Sequence, residues 1–396
     1  MLAAAYVKRL SASAPLPGDG RHDIGLFMTT PPISPATPVS QPATASLHPF
    51  GATPSGEAVG AVELDNGRGI RARILTLGAT LQSLSLPDRE GRVADVVLGF
   101  DEGGRYATEG HYLGSTIGRY ANRIAGGRFT LDGVEHHLPV NDGAHHLHGG
   151  PDGFHRRIWT VEEIGGGEAA FVRLSLVSVD GDAGYPGTLR AEATYALSAD
   201  GLGITYRATT DRPTVVGMTN HAYFNLAGTD GGETVLGHRL TIAADAYLPV
   251  APGAIPTGER RAVAGSAFDF REGALVGSRI REAGVEEQLL LGRGYDHNFI
   301  LRDAGGSLRH IATVEHPGSG RVLELHGTAP GVQVYSGNFL DGTIIGKGGR
   351  VYRQSDGLCL EPQPFPDTPN RPDFPSARLD PGEVYEHRIL WRFRTT

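Results

Sequence analysis

The stretch LRAEATYALSADGLGITYRATT, residues 189–210, decides how the rest of the chain is read. Leu189, Ala191, Ala193, Tyr195 and Leu197 fall on one face, with Arg190, Glu192, Thr194 and Ser198 opposite. Successive side chains of an extended backbone point to opposite sides, so this spacing predicts a half-buried strand. After Asp200 and Gly201 the alternation resumes, with Leu202, Ile204 and Tyr206 against Thr205, Arg207 and Thr209. Two alternating runs joined at Asp-Gly, residues that tolerate the positive φ of a tight turn, predict an antiparallel hairpin.

The device recurs along the chain. Asp132 and Gly133 sit between Phe129/Leu131 and Val134/Leu138, and Asn66 and Gly67 follow Val62/Leu64. Helical spacing is scarce, its best case being residues 274–283, and nowhere do strands alternate regularly with long helices. The strand-rich pattern runs over residues 48–396 without a linker-like shift in composition. The expected fold is therefore all-β: one large antiparallel β-sandwich with few short helices. Composition agrees, since 57 Gly and 26 Pro among 396 residues supply many turns while 39% hydrophobic residues suffice for a large core. Disorder throughout is excluded, and so is collagen, because the glycines keep no three-residue period.

Residues 1–47 read differently. TTPPISPATPVSQPATAS, residues 29–46, offers almost nothing large to bury and is expected to be a poorly ordered tail. Lys8 and Arg9 are not followed by the apolar stretch of roughly 7 to 15 residues that a secretory signal needs, and Met28 is an internal candidate start. Acidic residues outnumber basic ones by 44 to 36, spread along the chain, so there is no basic surface for nucleic acid. No apolar run reaches the ~18 residues that span a bilayer. A single cysteine, Cys359, forms no intrachain disulfide and cannot build a thiolate-rich metal site. It fits a reducing compartment, and a cytoplasmic monomer or homodimer is expected.

The chain lacks a phosphate-cradling GxxxxGK[ST], a GxSxG nucleophile elbow and an HExxH zinc helix. Its polar, turn-rich histidine segments are more informative. His145, His146 and His148 cluster in NDGAHHLHGG, but carboxylate or thiolate partners at ligand spacing are missing nearby, so no metal site is expected. His148, backed by Gly149 and Gly150, instead offers a donor where backbone can come close to a small ligand. GRYANRIAGGRF presents Asn122 and Arg123 together, an amide beside five fixed guanidinium donors, which suits a hydroxyl-rich ligand. MTNHAYFNLAG sets His221 among Asn220, Tyr223, Phe224 and Asn225, the mix of rings and amides that a sugar pocket needs. YDHNFIL adds Asp296 and His297, GVQVYSGNFL adds Gln333, and LCLEPQPFPD places Glu361 after an apolar run, entering a proline-held turn. Taken singly, each of these has an ordinary structural reading as a loop, edge or surface residue.

Taken together, GRYANRI, LHGG, TNHAYFNL, DHNF, QVYSGN and LEPQPFPD, in this order, resemble the aldose 1-epimerase family, the galactose mutarotases, from about residue 51 to residue 393. AFDFR and LDPGEVYEHRILWRF resemble its later segments. The resemblance implies a galactose mutarotase-like supersandwich with a sugar cleft, His221 as general acid and Glu361 as general base. It also implies Arg123, His148, Asp296 and Gln333 as sugar-hydroxyl contacts, with Asn122 a weaker one, and neither cofactor nor metal. Ala222 and Pro364 depart from the serine and histidine common at those places, which touches fine specificity more than the reaction. A hexose-phosphate epimerase and a non-catalytic carbohydrate-binding module are the alternatives, and a metal-dependent hydrolase built on residues 145–148 is a third.

Overall fold

The computed structural model describes residues 41–396 apart from 110, 283, 285, 304 and 305. The expected tail lies mostly outside these residues, but its last part does not: Thr44–Ala52 is a strand, pairing with Ala58–Asp65 from Thr44 opposite Asp65 onward. Backbone pairing needs no large side chains, so composition gave no sign of it.

The opening hairpin lies where the alternation puts it, as Leu189–Leu197 and Leu202–Thr210 paired from Leu197 opposite Leu202 to Leu189 opposite Thr210. Gly201 turns the chain at φ 147°, and a Cβ there would collide with the Trp391 carbonyl oxygen, so glycine is required on two counts. These strands lie within a nine-stranded antiparallel sheet that also holds Ala170–Ser178, Tyr385–Thr395, Arg321–Gly327 and Arg309–Glu315. A five-stranded sheet runs from Thr44–Ala52 to Val93–Asp95. A six-stranded sheet carries, in order, Tyr223–Phe224, Leu358–Gln363, Gly331–Tyr335, Asp296–Leu301, Ala244–Leu248 and Arg261–Ala262.

One apolar cluster joins the inner faces of all three: Tyr195, Tyr206 and Trp391 from the large sheet, Phe299, Val332, Val334, Leu358 and Leu360 from the six-stranded one, and Val62, Ile74 and Leu84 from the third. This is the expected antiparallel sandwich. Its driving force is burial of apolar area, about 25 cal/mol per Å² removed from water.

The helical spacing of residues 274–283 does not become a helix among the described residues. Ala274–Leu275 pairs with Leu240 and Arg239 at the edge of the large sheet, Val276–Ser278 makes one 3-10 turn, and residue 283 lies outside the described part. The short helix of this region is Glu287–Leu291. Sheet pairing at the edge outweighed a weak local helical preference.

Candidate active site

Alternation within the six-stranded sheet builds one side of a cleft. Leu358 and Leu360 point to the core, which turns Cys359 and Glu361 the other way; Val332 and Val334 do the same for Gln333 and Tyr335. Antiparallel register then lines up the polar residues across strands, with Gln333 opposite both Glu361 and Asn298, and Asp296 opposite Tyr335. Glu361 thus stands inside Leu358–Gln363 rather than entering a turn. The strand runs on through Pro362 because its neighbour Tyr223–Phe224 pairs only with Cys359 and Leu358, so beyond them no partner misses the proline N–H.

Loops supply the other side. His221 follows the two-residue strand Thr219–Asn220; its N–H donates to the Ser115 carbonyl and its own carbonyl accepts from Gly114 N–H, each at 2.9 Å. Asn220 secures this loop from beneath, donating from Nδ2 to the Gly114 carbonyl at 2.8 Å and to the Tyr195 hydroxyl at 3.2 Å, and accepting Ala222 N–H at 3.0 Å. Asn122 and His148 both have left-handed backbone, φ 67° and 53°, and hold each other: His148 N–H donates to the Asn122 carbonyl and Asn122 N–H to His148 Nδ1, both at 3.1 Å. Arg123 donates from Nε to Asp142 at 2.8 Å. Gly149 serves the fold rather than a ligand, since a Cβ there would strike the Gly118 carbonyl oxygen.

The two sides enclose a cavity of about 240 Å³ lined by Asn122, Arg123, His148, His221, Asp296, Gln333 and Glu361. The seven residues implied by the resemblance therefore line one cleft, whereas Asn220, Phe224, Asn225 and His297, singled out beside them, do not line it. His221 Nε2 lies 3.7 Å from Glu361 Oε1, and both side chains are almost fully buried. Gln333 donates to Asp296 at 2.7 Å. Glu361 Oε2 and Gln333 Oε1 are buried with no partner among the described residues, and such atoms call for donors. Tyr112 and Tyr223 stack on the His221 imidazole, with ring centroids 5.7 and 5.1 Å away.

Burial sets the protonation. It pushes His221 down to about 4 and His148 well below the usual imidazole range. It raises Asp296, and it raises Glu361 well above the usual carboxylate range with the nearby Asp296 charge adding to the effect. Burial thus disfavours charge on both members of the pair, favouring a neutral imidazole beside a protonated carboxyl.

Ligand atoms of His148, His221 and Glu361 lie within 4.8 Å of one another, a set with the residue types to hold a metal ion. The bond from Asn122 N–H occupies the Nδ1 lone pair of His148, however, so the neutral ring keeps its proton on Nε2 and meets the cavity as a donor. That arrangement suits hydroxyl oxygens better than a cation. The other histidines of residues 145–148 part company: His145 accepts from Gly126 N–H, and His146 lies between the Pro139 carbonyl and the Tyr185 hydroxyl.

Sequence reading missed His111, Tyr112, Asp142, Leu147, Tyr335 and Phe339 in the lining. Tyr335 was readable, two residues after Gln333 on one strand; Asp142 and Tyr112 lie in loops where no period applies.

Comparison with known proteins agrees with this geometry. A family profile described as Aldose 1-epimerase matches residues 60–392. Galactose mutarotase of Bos taurus is 46% identical over 324 residues, 82% of this chain and 91% of its own. Aldose 1-epimerase of Escherichia coli K12 is 39% identical over 343 residues, 86% and 96% of the two chains. Among solved structures, the GalM/aldose epimerase homologue from C. elegans superposes with TM-score 0.77 at 33% identity, covering 86% of this chain and all of that one. Galactose 1-epimerase from Lactobacillus acidophilus gives TM-score 0.77 at 30% identity over 89% and 99% of the two chains. Fold, cleft and relatives agree: the chain belongs to the aldose 1-epimerase family.

Proposed function

We infer that this chain is an isomerase that interconverts the α and β anomers of free aldoses such as glucose and galactose, with Glu361 as general base and His221 as general acid. The observation that carries this reading is a buried imidazole and carboxyl 3.7 Å apart in a cavity of monosaccharide size, beside acceptor atoms that have no donor among the described residues. Glu361 takes the proton of the anomeric hydroxyl while His221 gives one to the ring oxygen, which opens the hemiacetal to the aldehyde. Rotation about the adjoining C–C bond presents the other carbonyl face, and reclosure returns both protons. One proton on the pair suffices at every stage. With the ring open, Glu361 is protonated and His221 neutral, the distribution that burial favours. A positioned acid or base contributes about 10²- to 10⁴-fold each, and alignment of the sugar adds to it.

Arg123, His148, Asp296 and Gln333, with Asn122, bind the hydroxyls in this reading. A phosphorylated sugar is disfavoured, because Arg123 already pairs with Asp142 while Asp296 and Glu361 add acidic groups to the lining. A sugar-binding module has no use for a buried acid and base pair.

Polarimetry of freshly dissolved α-glucose and α-galactose is the test. Relaxation to the anomeric equilibrium faster than the spontaneous rate is expected. Sugar binding without acceleration would leave the binding-module reading instead.

A further inference from the structure

The strand that carries Glu361 also carries Cys359, two residues earlier and on the same face, and the two side chains reach opposite nitrogens of one imidazole. Glu361 Oε1 lies 3.7 Å from Nε2 of His221 and Cys359 Sγ lies 3.5 Å from Nδ1. Tyr112 and Tyr223 stack on the ring. A stacked imidazole can still flip about its Cβ–Cγ bond, which exchanges Nε2 with Cε1, and an in-plane partner at Nδ1 sets that Nε2 is the atom that meets the cavity.

We propose that Cys359 is the positioning residue of His221, its thiol holding Nδ1 so that Nε2 is aimed at the sugar. This rests on the assignment of His221 as the acid. A thiol suits the task because it both donates and accepts. In the neutral ring of the unliganded protein, S–H donates to Nδ1 and the ring proton sits on Nε2, facing the cavity; the ring that has given its Nε2 proton to the sugar keeps the other on Nδ1, which donates to sulfur. When both nitrogens are protonated, the S–H rotates away and sulfur accepts from Nδ1–H. The side chain at position 359 is fully buried, and burial together with Glu361 and Asp296 pushes the thiol well above its ordinary range, so it keeps the proton it donates. Asn122 N–H treats Nδ1 of His148 in the same way, so both cavity histidines present an N–H toward the ligand. The competing partner for Nδ1 is the carbonyl of His221 itself, which already accepts from Gly114 N–H.

Because Cys359 is the one cysteine of the chain, its S–H stretching band in the infrared reports this contact without interference. The band of the unliganded wild-type protein is expected at lower frequency than that of His221→Phe, where the acceptor is gone. Cys359→Ser, which keeps a group able to donate and accept, is expected to retain most of kcat. Cys359→Ala is expected to lose about 10- to 100-fold in kcat with KM unchanged, the size of a misaimed catalytic group. Identical S–H bands in wild type and His221→Phe would overturn the proposal, as would wild-type kcat in Cys359→Ala. Should Cys359→Ala not fold, the infrared comparison and the serine variant decide. Absence of mutarotation in the wild-type protein would overturn the assignment of His221 as acid, and the S–H band would still report the contact.

Discussion

The two sides of the cleft are built differently. Asp296, Gln333 and Glu361 stand on adjacent strands of the six-stranded sheet, aimed by a two-residue period and held by ladder hydrogen bonds. Asn122, His148 and His221 stand on short loops and Arg123 on a two-residue strand paired with Leu147, aimed by individual bonds between segments far apart in the chain, such as Asn220 to Gly114 and Tyr195. On the strand side, a side chain can be changed while its backbone stays in place. On the loop side, the bonds that hold the shape also hold the functional group, so catalysis and stability are coupled.

Substitutions test that contrast. The largest effect is expected from Glu361→Gln, which keeps shape and removes the base: kcat should fall about 10³-fold or more with sugar affinity retained, read by polarimetry and calorimetry. Its Tm should equal or exceed that of the wild type at pH 8, since a neutral amide avoids the cost of ionising a buried carboxyl. Next comes Asn220→Ala on the loop side. It leaves the Gly114 carbonyl without its side-chain donor, should cost about 1–3 kcal/mol in denaturant unfolding, and should displace His221 enough to lower kcat about 100-fold. A drop in activity with unchanged stability would break the coupling argued for the loops.

Acid should weaken the loop side. His221 is held down to about 4 and His155, behind Tyr112, down to about 3, both by burial. Below the ordinary value near 6.5 the unfolded chain binds protons that the folded one refuses, so stability is present above that pH and is lost as pH falls toward 4. Each such group accounts for up to about 1.4 kcal/mol per pH unit, and Tm should decline steadily between pH 6.5 and 4.5. Asp296 and Glu361 act in the opposite sense: their raised folded values favour the protonated, folded form, and that contribution fades as pH rises above the ordinary carboxylate range.

The smallest effect belongs to Gln333→Ala. It removes one strand-borne contact and should raise KM about 10-fold with little change in kcat, and with less loss of Tm than Asn220→Ala. An equal loss of Tm would show that the strand side is no more rigid than the loops.

This division also marks what was legible in the sequence. The hairpin over residues 189–210 could be read to the residue, because a strand announces itself every second position and Asp-Gly announces the turn. The opposed faces of Leu358–Gln363 follow from the same rule, although its proline suggested a turn until the short neighbouring strand explained why Pro362 does no harm there. Thr44–Ala52 escaped notice, since most of its side chains are exposed and follow no two-residue alternation. Tyr112 and Asp142 escaped as well, because loops repeat no pattern.

From the sequence alone follow the all-β class, the resemblance to the aldose 1-epimerases and the residue types of an acid and base pair, for these depend on local periodicity and on short motifs. Only the folded chain decided that His221 and Glu361, 140 positions apart by their numbers, come within 3.7 Å, that burial moves their proton affinities in opposite directions, and that Cys359 lies behind the imidazole. Distance, desolvation and hydrogen-bond direction arise between segments brought together by packing, and no single segment carries them.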